Sequence, residues 1–113
     1  MDNVEAVKAY LRAQNLEQIG RADDAVELYE RVVAGGFDAS GPYDRLIAIY
    51  GDRAQHRDVV RITDAALAQV QTHAEKRAWY DRTRAEALRA AERLPRAAPR
   101  SARGSRAEKR SRR

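Results

Sequence analysis

Displaced by 34 residues, this sequence lies on itself. Leu16 meets Tyr50, Gly20 meets Ala54, Asp24 meets Asp58 and Ala25 meets Val59. Val26 then meets Val60, Leu28 meets Ile62, Glu30 meets Asp64, Val32 meets Ala66 and Val33 meets Leu67. Large residues fall on large and small on small. A unit of this length holds two helices, which cannot bury their apolar faces alone, so successive copies must stack. With 113 residues the chain has room for one small domain of this kind.

Local signals agree with an all-α fold. Ala, Leu, Arg and Glu, all strong helix formers, fill the chain between sparse glycines and prolines. No run alternates apolar and polar residues long enough to argue a strand. A first helix is expected from about Asn3 to Ile19, opened by a capping box of Asp2 and Glu5 and closed by Gly20. Its apolar stripe is read as Val4, Val7 and Leu11, with Tyr10 and Gln14 beside it and Leu16 and Ile19 continuing it. A second helix starts near Asp23-Asp24, carries Ala25, Leu28, Tyr29 and Val32 at helical spacing, and stops at Gly35-Gly36. Pro42 suits the first turn of a third helix bearing Tyr43, Leu46, Ile47 and Tyr50. A fourth is expected at about His56 to Gln71, with Val59, Ile62, Ala66 and Val70 on one face. A fifth covers Ala74 to Leu94, with the poorer face Ala78, Trp79, Ala85, Leu88 and Ala91. Pro95 then ends order, because residues 95–113 hold few apolar side chains larger than Ala and much like charge.

The period and these residues resemble the tetratricopeptide repeat family. The stretch Gly20-Arg-Ala-Asp-Asp-Ala25-Val-Glu-Leu-Tyr29-Glu-Arg-Val32 looks like the turn and second helix of such a repeat. Tyr43, Leu46, Tyr50, Val59 and Ala66 fill matching places in the next unit. The resemblance covers roughly residues 6–72. It departs at Ala9 and Arg12, where bulky residues are expected, at Ala54, where the turn glycine is expected, and at Phe37, where proline is common. It implies antiparallel hairpins stacked as a short α-solenoid. The repeats would be about 6–39 and 40–73, followed by a capping helix at about 74–94.

The charge is uneven. Residues 95–113 hold 8 Lys/Arg and one acid, whereas residues 1–94 hold 14 basic and 16 acidic residues, a net of −2. Within the latter, residues 1–52 carry −5 and residues 53–94 carry +3. The whole-chain value of +5 therefore belongs to an Arg-rich tail. There is no cysteine for a disulfide, a thiolate nucleophile or a zinc cage. No stretch approaches the roughly 20 apolar residues that span a bilayer. The acidic start, Met1-Asp2-Asn3-Val4-Glu5, is unlike a secretory signal, and a cytoplasmic protein is expected.

Catalysis needs a nucleophile, base or metal gathered in a pocket. His56 and His73 lie 17 residues apart with no ligand partner at metal spacing, and read as solvated. Of the four serines, only Ser40 lies before the tail. Asp23, Asp24, Asp38, Asp44, Asp52 and Asp58 sit mainly at helix ends, where capping explains them. No glycine-rich phosphate loop is present. The expectation is a protein without catalytic activity, cofactor or metal.

Three binding functions remain. By the resemblance, first helices line a concave groove showing Val7, Tyr10, Gln14, Glu17 and Gln18, then Asp44, Ala48 and Asp52. Tyr10, Gln14 and Arg45 replace the Lys and Asn with which some family members clamp a partner's C-terminal carboxylate. An adaptor holding a protein or peptide segment in this groove is the leading reading, against a merely solvated face. Trp79, amid Lys76, Arg77, Arg82 and Arg84, is read as cap packing or as an interface anchor. The tail residues Arg96, Arg100, Arg103, Arg106, Lys109, Arg110, Arg112 and Arg113 could bind phosphates by counterion release. Without interleaved aromatics the tail offers no base stacking. It could equally keep the protein soluble or rest on the acidic N-terminal half. The third reading is a homo-oligomer that self-associates through its uncapped repeat ends.

Overall fold

The computed structural model describes residues 1–93, so the tail expectation, with its eight basic residues, lies outside the described residues. Five helices account for 81% of the described residues, with no strand among them. They are α1 (Asn3–Gln18), α2 (Ala22–Ala34), α3 (Ser40–Asp52), α4 (His56–Gln69) and α5 (Ala74–Glu92). The helices start and stop where expected to within one or two residues. Asp2 and Glu5 form the capping box, each side chain accepting from the other's backbone N–H at 2.8 and 3.1 Å. Each helix packs on its neighbours in sequence. The contacts run antiparallel: α2 and α3 meet through Glu30 with Tyr50 and Asp23 with Arg53.

The 34-residue period recurs in the backbone. α2 and α4 start at Ala22 and His56, α3 and α5 at Ser40 and Ala74, and α1 and α3 end at Gln18 and Asp52. The turns repeat bond for bond. After α1, the Arg21 N–H bonds the Leu16 carbonyl at 2.8 Å and the Gly20 N–H bonds Glu17 at 3.1 Å. After α3, Gln55 bonds Tyr50 at 2.9 Å and Ala54 bonds Gly51 at 3.1 Å. Both closures need a left-handed residue between them. Gly20 supplies it with φ +83° and Ala54 with φ +57°. Ala54 adopts that conformation at a cost that Gly20 avoids.

The core gathers Tyr29, Tyr43, Leu46, Ile62 and Tyr80, all fully buried, with Val33, Ile47, Ile49, Tyr50, Val59 and Val70 around them. The expected faces of α2, α3 and α4 all turn inward, Leu28 of α2 only partly. Those of α1 and α5 need correction. Val4, Val7 and Leu11 are exposed at 62, 39 and 52%, and Ile19 at 68%. The buried side of α1 is instead Ala6 and Ala13, with Tyr10 and Leu16 partly covered. On α5 the buried residues are Tyr80, Ala87 and Ala91; Ala78, Trp79 and Ala85 are half-buried and Leu88 is exposed. Small residues let α1 approach α2 closely, so alanine does what the sequence reading assigned to valine and leucine.

Candidate functional site

Two of the carboxylates expected to line a groove, Glu17 and Asp44, are engaged within the fold, and Glu30 is engaged in the same way. Three half-buried acids each accept a tyrosine hydroxyl and a cation. Glu17 of α1 accepts from Tyr29 of α2 at 2.6 Å and from Nε and Nη2 of Arg45 of α3 at 2.9 and 2.6 Å. Glu30 of α2 accepts from Tyr50 of α3 and from Arg61 of α4, whose two nitrogens lie at 3.0 and 2.6 Å. Asp44 of α3 accepts from Tyr80 at 2.8 Å and Lys76 at 2.7 Å, both on α5. The first two clusters each join three consecutive helices. A planar guanidinium bonding a carboxylate through two N–H groups fixes orientation as well as distance.

The electrostatics follow from these contacts. The Arg45 guanidinium, above all, holds the Glu17 carboxyl below its usual value, aided by Tyr29 and opposed by burial. At Glu30 burial pushes upward most strongly, but the hydrogen bonds from Arg61 and Tyr50 together outweigh it and the carboxyl lies low. Burial, and then the bonded carboxylate, push the Tyr29, Tyr50 and Tyr80 hydroxyls well above their ordinary range. These tyrosines stay protonated donors across physiological pH.

The remaining expected groove residues sort by their surroundings. The Tyr10 hydroxyl accepts from Gln14 at 3.2 Å, and its ring lies 6.0 Å from Tyr29 and 6.5 Å from Phe37. It also covers Gly41, where a Cβ would collide with the hydroxyl and the ring. Tyr10 therefore seats α1 on α3, and Gly41 permits the approach. Ala48 is half-buried, and Asp52 is exposed with no ion pair or side-chain hydrogen bond among the described residues. Trp79 is half-buried, 5.3 Å from Tyr80 and 4.4 Å from the Lys76 ammonium. It thus borders the Asp44 cluster at the α3–α5 seam and shares its cation.

The aspartates read as caps divide. Asp23, Asp24 and Asp58 do stand in first turns. Asp38, however, accepts the Gln71 N–H at 2.8 Å and so links the α2–α3 connection to the end of α4. His73 caps α5, its Nδ1 accepting from the Lys76 N–H at 3.2 Å. Among the described residues no group of three His, Asp or Glu side chains is placed to hold a metal ion, and no helix is long and apolar enough to cross a membrane. No family model, curated protein or solved structure matches the chain.

The tyrosine–carboxylate pairs span 12, 20 and 36 positions. No helical-spacing rule finds them. The repeat offered one signal: Glu30 falls on Asp64 and Tyr50 on Arg84 after the 34-residue shift. Arg84 does bond Asp64, at 2.6 Å, so the same two places are tied in both units.

Proposed function

We propose that this chain is a tetratricopeptide-like adaptor that acts in the cytoplasm without catalysis and holds a segment of a protein partner. The observation that carries the reading is the recurrence at 34 residues of helix starts, turn closures and the Glu30–Tyr50 and Asp64–Arg84 ties. A frame whose polar groups are satisfied internally presents its outer side chains at fixed spacing, which reduces the ordering cost of binding.

The ties also refine the partner. Glu17 and Asp44 are occupied by Arg45 and Lys76, so the surface is far less acidic than its composition suggests. Asp52 is exposed and Trp79 half-exposed: one carboxylate for a basic side chain, and the uncovered part of one indole as an apolar anchor. A segment combining an apolar residue with Lys or Arg suits them.

The test is affinity capture with the full chain and its Asp52→Arg and Trp79→Ala variants. Both substitutions should weaken capture of the same partner at unchanged helix content, and unchanged capture by both would end the proposal. A second reading rests on the seven net positive charges of residues 95–113. It requires salt-sensitive RNA or DNA binding that deletion of these residues abolishes.

A further inference from the structure

The exposed stripe of α1 raises a separate question from the groove. Val4, Val7 and Leu11 follow at i, i+3 and i+7, lie on one face, and are covered by no described element. Single exposed apolar residues need no explanation, but a contiguous stripe on one helix does.

The repeat says which face this is. After the 34-residue shift, Val4, Val7 and Leu11 fall on Asp38, Gly41 and Arg45. Gly41 lies under the Tyr10 ring, and Arg45 reaches Glu17. Asp38 precedes α3, and the two positions on α3, Gly41 and Arg45, lie on the side that meets α1. The stripe is therefore the stacking face of α1, and it is apolar.

We propose that this face binds the same face of a second copy of the chain, with two α1 helices packed antiparallel about a two-fold axis near Lys8. Three observations select this occupant. First, like-to-like pairing buries apolar residues from both sides, whereas α5, at the other end of the helix order, exposes only Leu88 among large apolar side chains. Head-to-tail stacking would set the valines against that more polar helix and, short of ring closure, would leave one apolar face uncovered. Second, the charges beside the stripe are self-complementary. Glu5 and Arg12 lie on one flank, both exposed, and antiparallel pairing sets Glu5 of each copy near Arg12 of the other. Third, Lys8 falls beside the axis, where its long stem can carry the ammonium out to water.

Sedimentation of the nuclease-treated full chain over a wide concentration range tests the proposal. The apparent mass should double with rising concentration, and Leu11→Glu should keep it monomeric at unchanged helix content. A wild-type monomer into the high micromolar range, or a Leu11→Glu dimer, would overturn the pairing. The chain has no cysteine, so Val7→Cys adds a single thiol. Under mild oxidation it should give a covalent dimer. A dimer that Val7→Cys cannot cross-link would also overturn the pairing, because head-to-tail stacking keeps the two Val7 positions apart.

Discussion

Replacing Tyr50 by Phe removes one hydroxyl and leaves the ring, whose place in the core is otherwise filled. In the native chain that hydroxyl donates to Glu30, which also takes two nitrogens of Arg61 at 3.0 and 2.6 Å. A hydrogen bond to a charged group contributes about 1.5–3 kcal/mol. Arg61 remains in the variant and the Glu30 side chain is 27% exposed, so the lower end applies. The expected loss is about 1–1.5 kcal/mol at pH 7. For a domain of this size that is a fall in Tm of about 4–12 °C.

Acid separates this contact from ordinary packing. Folding holds the Glu30 pKa below its ordinary value of 4.5. Its contribution is thus present above pH 4.5 and is lost as pH falls through the lower, folded value. Tyr50→Phe relieves part of that depression, so its penalty should shrink as pH drops below 4.5. Tyr43→Phe is the control. Tyr43 donates to the neutral Phe37 carbonyl at 2.7 Å, and its penalty, about 1 kcal/mol, should not change over the same range. Urea titrations at several pH values measure both. A Tyr50→Phe variant as stable as the wild type at pH 7, or a penalty that ignores pH, would refute the role given to Glu30.

Other substitutions probe other joints. Gly41→Ala sets a methyl against the Tyr10 ring and should cost about 1–3 kcal/mol by chemical denaturation, with Tyr10→Ala relieving most of the clash. Leu46→Ala, at a fully buried site, should cost about 2–5 kcal/mol in the same assay. Lys76→Met leaves Asp44 with Tyr80 alone and should shift the Trp79 fluorescence, because Lys76 lies over both the Trp79 and Tyr80 rings.

The helices themselves were legible because their punctuation is local. Asp2 and Glu5 mark a start, Gly20 a stop, and Pro42 a first turn, and each acts within four residues. The faces of α2, α3 and α4 were legible because large apolar residues recur there at helical spacing with polar residues between. On α1 that rule failed. Valine and leucine lie on one side and alanines on the other, and the chain buries the alanines to bring helices close. On α5 the apolar residues are too sparse to mark a face, and Tyr80 rather than its neighbour Trp79 is the fully buried aromatic. Glu17 and Asp44 were legible as polar residues of first helices. Their commitment to Arg45, Lys76 and two tyrosines was not, since it depends on how helices far apart in sequence come together.

The 34-residue repeat underlies both the fold and the proposed function, and one pair of substitutions tests it most directly. Gly20 and Ala54 occupy the same place in the two turns, with φ +83° and +57°. A Cβ at Gly20 would meet nothing within 4 Å, so Gly20→Ala is opposed by backbone conformation alone. That conformation costs an L-residue about 1–2 kcal/mol, offset by up to about 1 kcal/mol from the stiffer unfolded chain. Thermal unfolding of both variants should therefore show opposite shifts of up to about 2 kcal/mol, Gly20→Ala lowering Tm and Ala54→Gly raising it. Two shifts of the same sign, or no response at Ala54, would contradict the equivalence of the two turns.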